Sequence, residues 1–192
     1  MSKESYVLLT ASRNPTKNMR TLCKDISCTF SNVQRINRGK LSLEGIIERT
    51  LEFNAAKVAI VERWVQGTAK IQLFEIRQSS LVGLPPTIYV RHVRFRRDFG
   101  EQAHKDRRIK SIAIASSSNE NFDVKRLENV LSNFFEIPII PTEEAIRSKH
   151  GAVMQISTDS SNRIAITFGI VPELIEIGPQ IGVSHLVWEL KG

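Results

Sequence analysis

The sequence has few of the residues that metal sites and disulfides require. Of its 192 residues only two are cysteines, Cys23 and Cys28, and they do not form a CxxC pair. The four histidines are scattered along the chain without the spacing of metal ligands. We therefore expect no metal and no cofactor, and we expect both thiols to serve as small core residues of one helix.

Long apolar runs are missing as well. No stretch approaches the roughly 20 apolar residues that a helix needs to span a bilayer. The apolar run Tyr6–Ala11 is too short for the core of a signal peptide, and charged residues follow it closely. The sequence therefore predicts an intracellular protein that does not contact membranes.

Sequence patterns of catalysis are also missing. The chain contains no GxxxxGK[S/T] loop, no GxGxxG, no GxSxG and no HExxH motif. Glu143 and Glu144 are neighbouring carboxylates, but they fall in the predicted first turn of a helix, where acidic residues are common. We therefore expect no catalytic residue, no enzymatic activity and no small-molecule substrate.

Positive charge is in excess and is concentrated in two segments. The formal net charge is +7. Residues Arg13–Lys40 include seven basic side chains against Asp25 alone, and Arg91–Lys110 include eight against three acidic ones. Such a concentration of charge is typical of proteins that bind a polyanion, although a solvated basic face without a partner would have the same composition.

Hydrophobic periodicity predicts the same order of elements twice: strand, helix, strand, helix, hairpin and strand. We expect an α/β fold of two structurally similar halves, 1–98 and 99–192, each a mixed β-sheet with flanking helices and joined within Asp98–Lys110. The first half is predicted to begin with strand Tyr6–Thr10, followed by a helix that is capped by Asn14, starts at Pro15 and ends near Phe30. Strand Val33–Ile36 and a second helix come next; this helix is capped by Ser42 and buried through Leu43, Ile46, Ile47 and Leu51. Hairpin strands Lys57–Trp64 and Lys70–Ile76, a loop with Pro85-Pro86 and strand Ile88–Phe95 complete the half. The second half is predicted to begin with strand Ser111–Ala115, a Ser/Asn-rich turn, and a helix whose Val124, Leu127, Leu131 and Phe134 point inward. Strand Ile137–Ile140 and a short helix that is capped by Thr142 and ends at Gly151 come next. Hairpin strands Ala152–Thr158 and Arg163–Phe168 and a last strand, Val183–Leu190, complete the half.

The first candidate binding segment lies where the first strand leads into the first helix. A helix start attracts anions through its unpaired N–H groups and its dipole, and an arginine there can hold a phosphate with two hydrogen bonds. Basic residues at spacings of three and four then share one face of the helix, away from the apolar face. An ordinary helix cap with a solvated basic stripe is the alternative. The candidates in this segment are Ser12, Arg13, Asn14, Lys17, Arg20 and Lys24.

The second candidate segment also follows a strand and precedes a helix, so we expect it at the same sheet edge as the first. Asn37 can hydrogen-bond a base or a ribose, and Gly39 lets the backbone approach closely. Arg13, Arg20 and Arg38 are expected to be exposed and to form one phosphate-binding surface. The candidates in this segment are Arg35, Asn37, Arg38, Gly39 and Lys40.

The third candidate segment is the predicted strand end Arg91–Arg97. Strand alternation places Arg91, Val93, Phe95 and Arg97 on one face and His92, Arg94 and Arg96 on the other. Basic residues on an exposed edge strand also protect against aggregation, so this pattern favours nucleic-acid contact and edge protection equally. Arg94 and Arg96 are the binding candidates here.

Two of these stretches closely resemble the opening part of the Brix-domain family. They are LTASRNPT (Leu9–Thr16) with MRTLCKD (Met19–Asp25), and NVQRINRGK (Asn32–Lys40). The segment ELIEIGP (Glu173–Pro179), with the strand after it, resembles the family's closing part, so the resemblance spans essentially the whole chain. Leu22 stands where members often have an aromatic residue. Gln180 stands where a basic residue commonly follows Gly-Pro, which disfavours an RNA contact at that end.

The resemblance implies an RNA-binding factor of ribosome biogenesis that acts in ribosomal RNA processing and subunit assembly. The implied partners are ribosomal RNA, the pre-ribosomal particle and other assembly factors. The implied fold is one Brix domain over residues 1–192, made of two copies of the anticodon-binding fold of certain aminoacyl-tRNA synthetases. It is compact, as in archaeal members, and its location is the cytoplasm, or the nucleolus in a eukaryote. The alternative is a protein–protein scaffold that meets RNA only indirectly.

Overall fold

A computed structural model describes residues 6–100, 109–116, 121–147 and 149–189. In each half, strands and helices alternate at first and are then followed by consecutive strands. The helices are α1 (Lys17–Thr29), α2 (Leu43–Glu52), α3 (Phe122–Phe135) and α4 (Thr142–Arg147), and a 3-10 turn covers Arg96–Asp98. The strands are β1 (Tyr6–Ala11), β2 (Val33–Arg35), β3 (Ala55–Glu62), β4 (Ala69–Arg77), β5 (Ser80–Arg94), β6 (Ile112–Ser116), β7 (Ile139–Pro141), β8 (Ala152–Thr158), β9 (Ile164–Ile170), β10 (Ile175–Glu176) and β11 (Gln180–Val187).

These strands form one mixed sheet in the order β2-β1-β3-β4-β5-β11-β9-β8-β6-β7, with β10 paired to β9. Strand β1 is parallel to β2 and β3, and β6 is parallel to β7 and β8, whereas the other pairs are antiparallel. The second five strands of this order therefore mirror the first five. The predicted α/β class is confirmed, but the two expected sheets are continuous because β5 and β11 pair at the centre.

One face of the sheet carries the main core, which α1 and α3 cover together. The ring of Phe30 after α1 stacks on the ring of Phe135 at the end of α3, with centroids 4.4 Å apart. Asn32 donates a hydrogen bond from Nδ2 to the carbonyl oxygen of Phe135 at 2.7 Å. Residues that lie about a hundred positions apart in sequence thus share a single core.

The opposite face is covered at its two ends. Ile46 of α2 packs on Val58 and Ile60, and Ala145 of α4 packs with Ala115 and Val153. Helix α2 also reaches Phe74 in β4 and Leu81 at the start of β5. Further along the central strands, Tyr89 of β5 is half-buried and His185 of β11 is exposed on this face.

The N-terminus of α1 lies two residues later than the sequence predicted. The Thr16 side chain, not that of Asn14, caps the helix by accepting a hydrogen bond from the Met19 N–H at 3.2 Å. The reason is conformational, since Thr16 has the extended backbone of a cap residue (φ −67°, ψ 165°). The predicted buried face is confirmed for Met19, Leu22, Cys23 and Ile26, whereas Cys28 is exposed and is not the core residue expected.

Helix α2 begins after Ser42 as predicted, with the Ser42 hydroxyl accepting a hydrogen bond from the Gly45 N–H. Its buried face is narrower than predicted, because Leu43 and Leu51 are 50% and 54% exposed. Thr50 is buried in their place, and its hydroxyl donates to the Ile46 carbonyl within the helix at 2.7 Å. This internal bond satisfies the one polar group that the packing buries.

The predicted loop at Pro85-Pro86 lies inside strand β5. The strand begins at Ser80, directly after the turn residues Gln78 and Ser79, which both have left-handed φ angles (47° and 60°). The prolines fit because the β4–β5 register shifts between Ile71 and Leu73, where no regular ladder bond is required of them. A proline pair therefore marks an irregular stretch of a strand rather than its absence.

Some expectations lie outside the described residues. These are the first five residues, the Ser/Asn-rich turn after β6, and the basic residues Lys105, Arg107 and Arg108. The last strand was predicted as Val183–Leu190, but it spans Gln180–Val187, so its predicted bounds are wrong. The boundary between halves 1–98 and 99–192 stays a prediction. Within the described part of the chain, the helices lack the length and apolar character needed to cross a membrane.

Candidate nucleic-acid interface

The first candidate segment is a tight connection between β1 and α1. The Ser12 N–H donates to the Val61 carbonyl at 2.8 Å, which fixes the end of the strand. Arg13 and Asn14 beyond it are exposed. Arg20, one turn into the helix, donates from Nη1 back to the Pro15 carbonyl at 3.3 Å. Arg13 and Arg20 thus flank the helix start along the chain.

The second candidate segment lies at the same sheet edge, as the sequence predicted. Strands β1 and β2 are parallel, so their carboxyl ends meet at one edge. The Ile36 N–H donates to the Leu9 carbonyl at 3.0 Å, and the Thr10 hydroxyl donates to the Ile36 carbonyl at 3.2 Å. These two bonds hold the start of the second segment directly beside the first.

Arg38 and Gly39 have specific roles in the second loop. Arg38 was expected to be exposed but is half-buried, because its Nε donates to the Leu41 carbonyl at 3.3 Å. Gly39 has a left-handed φ of 52°, and its α-carbon faces open space. Asn37 and Lys40 are exposed on either side of this pair. The backbone at Gly39 is therefore accessible to a ligand, whereas the Arg38 side chain is partly engaged by its own loop.

The basic residues of α1 are displayed as predicted. Lys17, Arg20 and Lys24 are exposed, while the opposite side of the helix is buried. Arg35 on β2 lies half-buried on the same side of the sheet as α1. Burial raises the pKa of the Cys23 thiol to about 12, and the positive charge of Arg35 opposes this by lowering that pKa. Arg35 thus continues the basic surface of α1 across the end of the sheet.

One acidic group faces the first candidate segment. Glu44 in the first turn of α2 has a pKa below its ordinary value, chiefly because its carboxylate accepts a hydrogen bond from its own backbone N–H. The Ser42 hydroxyl and the charge of Arg13 lower the pKa further. The charge of Arg13 in the first candidate segment therefore acts on the start of α2, the helix that follows the second candidate segment.

The third candidate segment does not lie on an edge strand. Strand β5 pairs with β4 on one side and with β11 on the other, so the edge-protection interpretation is wrong. The predicted strand alternation is confirmed for Val93 and Phe95, which both pack in the core. It fails at Arg91, because the β5–β11 register shifts there, and at Arg97, because this residue lies in the 3-10 turn.

The two binding candidates of the third segment are held by local contacts. The guanidinium of Arg94 lies 4.1 Å from the centre of the Phe99 ring and donates to the Asp98 carbonyl at 3.1 Å. The backbone N–H of Arg96 donates to Oδ2 of Asp25 in α1 at 2.8 Å. The third segment therefore meets the basic helix at its middle, next to Lys24, and does not stand apart from it.

Sequence reasoning missed a third loop at the same edge. Strand β3 is also parallel to β1, so the hairpin residues that follow it extend beyond the carboxyl ends of β1 and β2. Arg63 there is exposed, and Val65 at the tip is 92% exposed. The sequence analysis placed Arg63 inside the predicted strand Lys57–Trp64, whereas β3 ends at Glu62. The position of Arg63 in a loop at this edge therefore emerged only from the strand bounds and from the parallel pairing of β1 and β3.

The fold and this edge define an α/β protein with cationic loops at the carboxyl ends of parallel strands. No protein-family model matches the chain, and among curated proteins nothing matches its sequence. Among solved structures, the chain is similar to one described as a probable ribosomal biogenesis protein from Aeropyrum pernix K1. The sequence identity is 19%, the TM-score is 0.74, and the match covers 95% of this chain and 99% of the other.

A second similar structure is that of Mil, described as an archaeal Imp4-like protein. It is 16% identical to this chain with a TM-score of 0.60, over 95% of this chain and 99% of its own. At these identities the likeness establishes the fold. The resemblance predicted from the sequence is therefore confirmed at the level of the fold, over nearly the whole length of both structures.

Proposed function

We propose that the protein is a ribosome-biogenesis factor of the Brix-domain type that binds ribosomal RNA through the cationic edge of its sheet. The observation that carries the proposal is the parallel pairing of β1 and β2, which brings two basic loops and the exposed face of α1 to one place. The sequence motifs of those loops are the ones that resemble the Brix family. The two similar structures support the same direction, since one is described as a probable ribosomal biogenesis protein.

Phosphate contacts supply the affinity in this proposal. Arg13, Lys17, Arg20 and Lys24 provide four exposed cations along the helix and the turn before it, and Lys40 provides a fifth in the second loop. The proposed site also contains the remaining candidates of the three segments, which are Ser12, Asn14, Arg35, Asn37, Arg38, Gly39, Arg94 and Arg96. Selectivity comes from the shape of the folded RNA and from unpaired bases that meet Asn37 and the open backbone at Gly39.

The protein acts in this proposal by binding and not by catalysis. Its role is in ribosomal RNA processing and subunit assembly within a pre-ribosomal particle, together with other assembly factors. Its site of action is the cytoplasm, or the nucleolus in a eukaryotic cell. The halves 1–98 and 99–192 form one domain, which is supported by their common core and continuous sheet.

Binding to protein-free ribosomal RNA, measured as a function of salt, tests the proposal. If six or more phosphates are engaged, the affinity should fall by about three orders of magnitude or more between about 50 and 200 mM salt. A titration that shows no salt dependence, or no binding at low salt, would contradict direct RNA binding. In that case the basic edge would be a docking surface for an acidic protein, as in the scaffold alternative.

A further inference from the structure

Three side-chain rings meet on the central strands of the sheet. The ring of Tyr89 in β5 stacks on that of His185 in β11, with centroids 4.3 Å apart and planes inclined by 13°. The ring of Trp64, from the loop after β3, stands nearly perpendicular to both, at 5.2 Å from Tyr89 and 5.7 Å from His185. We call Trp64, Tyr89 and His185 the ring cluster.

The ring cluster lies on the face of the sheet opposite the main core. Tyr89 is flanked in β5 by Ile88 and Val90, which are both buried in the main core, so alternation places Tyr89 on the opposite face. On that face α2 packs on β3, β4 and the start of β5 at Leu81, and α4 packs at the other end on Ala115 and Val153. His185 is exposed, and Trp64 and Tyr89 are half-buried. The cluster therefore presents ring surface to the solvent.

Two glycines make room for rings on this face. A Cβ atom at Gly67 would collide with the ring of Trp64, and a Cβ atom at Gly182 would collide with the ring of His92. His92 is paired with Gly182 across the β5–β11 register and is exposed. A fourth ring thus lies close to the strand backbone beside the cluster, at a position where a larger residue in β11 would displace it.

Positive charge lies next to the rings at Arg63, which directly precedes Trp64 and is exposed. Arg94, two residues after His92, is also exposed, but its guanidinium lies over the ring of Phe99. Lys70, which is paired with Tyr89 across the β4–β5 register, forms an ion pair with Glu62 at 2.8 Å, so this nearby carboxylate is already neutralised. Exposed rings beside an exposed arginine suit a ligand that is both flat and anionic.

We propose that the ring cluster stacks an unpaired base of a single-stranded RNA segment. Aromatic rings on an open sheet are a general means of holding bases, and a cationic border serves the phosphates on either side. This inference rests on the proposed function and makes it specific. It assigns base stacking to the central strands and phosphate contact to the edge loops. The loop after β3 connects the two areas, because it starts at the cationic edge and carries Trp64.

The fluorescence of Trp64 tests the inference directly. The chain has two tryptophans, so Trp188→Phe leaves Trp64 as the sole reporter. Trp188 is a suitable residue to replace because it packs elsewhere, against Arg126 at 3.9 Å and with a hydrogen bond to Asp123 at 3.2 Å. Two probes are titrated at about 50 mM salt, where phosphate contacts are strong: a single-stranded decamer of uridylate, and an abasic chain with the same number of phosphates.

We expect the uridylate probe to quench Trp64 and to bind about ten-fold more tightly than the abasic probe, since only the former can stack. His185→Ala and Tyr89→Leu should each remove most of that difference. Neither variant should change the slope of affinity against salt, because no phosphate contact is lost. Trp188→Phe serves as the matched control, and its affinity for uridylate should equal that of the wild type. Circular dichroism establishes that each variant is folded.

The outcomes separate this inference from the proposed function. If ribosomal RNA binds with a steep salt dependence while both probes bind equally and Trp64 is not quenched, base stacking at the ring cluster is wrong and the proposed function stands. If neither ribosomal RNA nor the probes bind at low salt, the proposed function itself is wrong. If His185→Ala reduces uridylate binding and leaves abasic binding unchanged, the stacking role is established.

Discussion

The carboxylate of Asp25 in α1 accepts a hydrogen bond from the backbone N–H of Arg96, 2.8 Å away and 71 positions further along the chain. Asp25 is buried, and the Arg96 N–H is located where β5 passes into the 3-10 turn. This bond fixes the third basic segment against the basic helix. It is therefore a structural link between two parts of the proposed RNA-binding surface.

Two replacements of Asp25 should distinguish the contribution of its hydrogen bond to the free energy of unfolding from the contribution of its charge. Asp25→Ala leaves the Arg96 N–H without its acceptor in a buried place, which should cost about 1–3 kcal/mol of the free energy of unfolding. Asp25→Asn keeps an acceptor oxygen of the same shape and should cost much less at neutral pH. Urea unfolding of both variants measures the difference. Equal losses in the two variants would show that the bond to Arg96 is not the source of the effect.

The pKa of Asp25 gives this comparison a dependence on pH. Burial raises the pKa above the ordinary value of 3.8, and it outweighs the bond from Arg96 and the charges of Arg96, Lys24 and Arg97. The folded chain therefore holds this proton more tightly than the unfolded chain. The contribution of Asp25 to stability is largest below pH 3.8 and falls as the pH rises through the raised value. The stability of Asp25→Asn relative to the wild type should consequently increase from about pH 3.5 to pH 7. A relative stability that stays constant over this range would contradict the raised pKa.

Single replacements should locate the phosphate contacts. Arg13→Ala and Arg20→Ala should each weaken binding to ribosomal RNA and lower the salt slope by about one unit, because one phosphate contact is lost. Both residues are exposed, so the free energy of unfolding should change by no more than about 0.5 kcal/mol. Arg13→Lys keeps the charge and loses the two-point hydrogen bonding, which tests the geometry of the contact. Filter binding at several salt concentrations gives affinity and slope together.

Arg38 should behave differently from the other two. Its half-buried side chain donates to the Leu41 carbonyl, so Arg38→Ala should reduce stability by about 1 kcal/mol in addition to weakening RNA binding. The matched control is Arg163→Ala. Arg163 is an exposed arginine in the second hairpin that pairs with Asp159 at 3.1 Å. A loss of binding at Arg163 equal to that at Arg13 would mean that RNA senses the diffuse charge and not these loops.

The left-handed backbone at Gly39 makes a further prediction. At φ 52° a β-branched residue is strained although space is available, so Gly39→Val should lower stability by about 1–2 kcal/mol. Gly39→Asn should be tolerated better, because asparagine adopts this conformation more readily. Gly100→Ala is the control, since Gly100 also faces open space and its φ is not left-handed. Thermal unfolding compares the three variants, and equal effects of valine at Gly39 and alanine at Gly100 would refute a conformational role.

The two halves should not be stable when they are separated. A cut between residues 98 and 99 breaks the β5–β11 pairing, the stacking of Phe30 on Phe135 and the ion pair of Lys57 with Glu136 at 2.8 Å. Each fragment would contain about 95 residues and would expose the apolar surface that it buries against the other half. Fragments 1–98 and 99–192 expressed separately should aggregate or melt without cooperativity. Two soluble fragments that each melt cooperatively would show independent domains.

Local patterns in the sequence predicted most of the elements but not all of their environments. The apolar residues of α1 recur at helical spacing, so its buried face could be predicted, as could the cap of α2 at Ser42. The exposure of Leu43 and Leu51 could not, because it depends on how α2 lies on the sheet. The extension of β5 back to Ser80 was hidden by Pro85-Pro86, which local rules assign to a loop.

The sequence predicted where the candidate binding loops lie relative to one another, while their role in binding stays a prediction. The parallel order of β1 and β2 followed from the strand–helix–strand pattern, and it correctly placed the two basic loops at one edge. The contact between Asp25 and Arg96 and the ring cluster could not be predicted, because they join residues far apart in sequence through the twist and pairing of the sheet. Their residues carry no local signal of these partners.

The central pairing of the sheet has a consequence for biosynthesis. Strand β5 finds β4 beside it as soon as the first half has left the ribosome, but its other neighbour, β11, is the last strand in the described chain. Thr87 of β5 and Val187 of β11 face each other in the β5–β11 pair and are about a hundred residues apart in sequence. Until β11 has been synthesised, the nascent chain therefore exposes a row of unpaired N–H and carbonyl groups along β5, in the middle of the future sheet. Synthesis of the last strand thus removes a site of misassociation, and a chain that stalls before Gln180 is the form most in need of a chaperone.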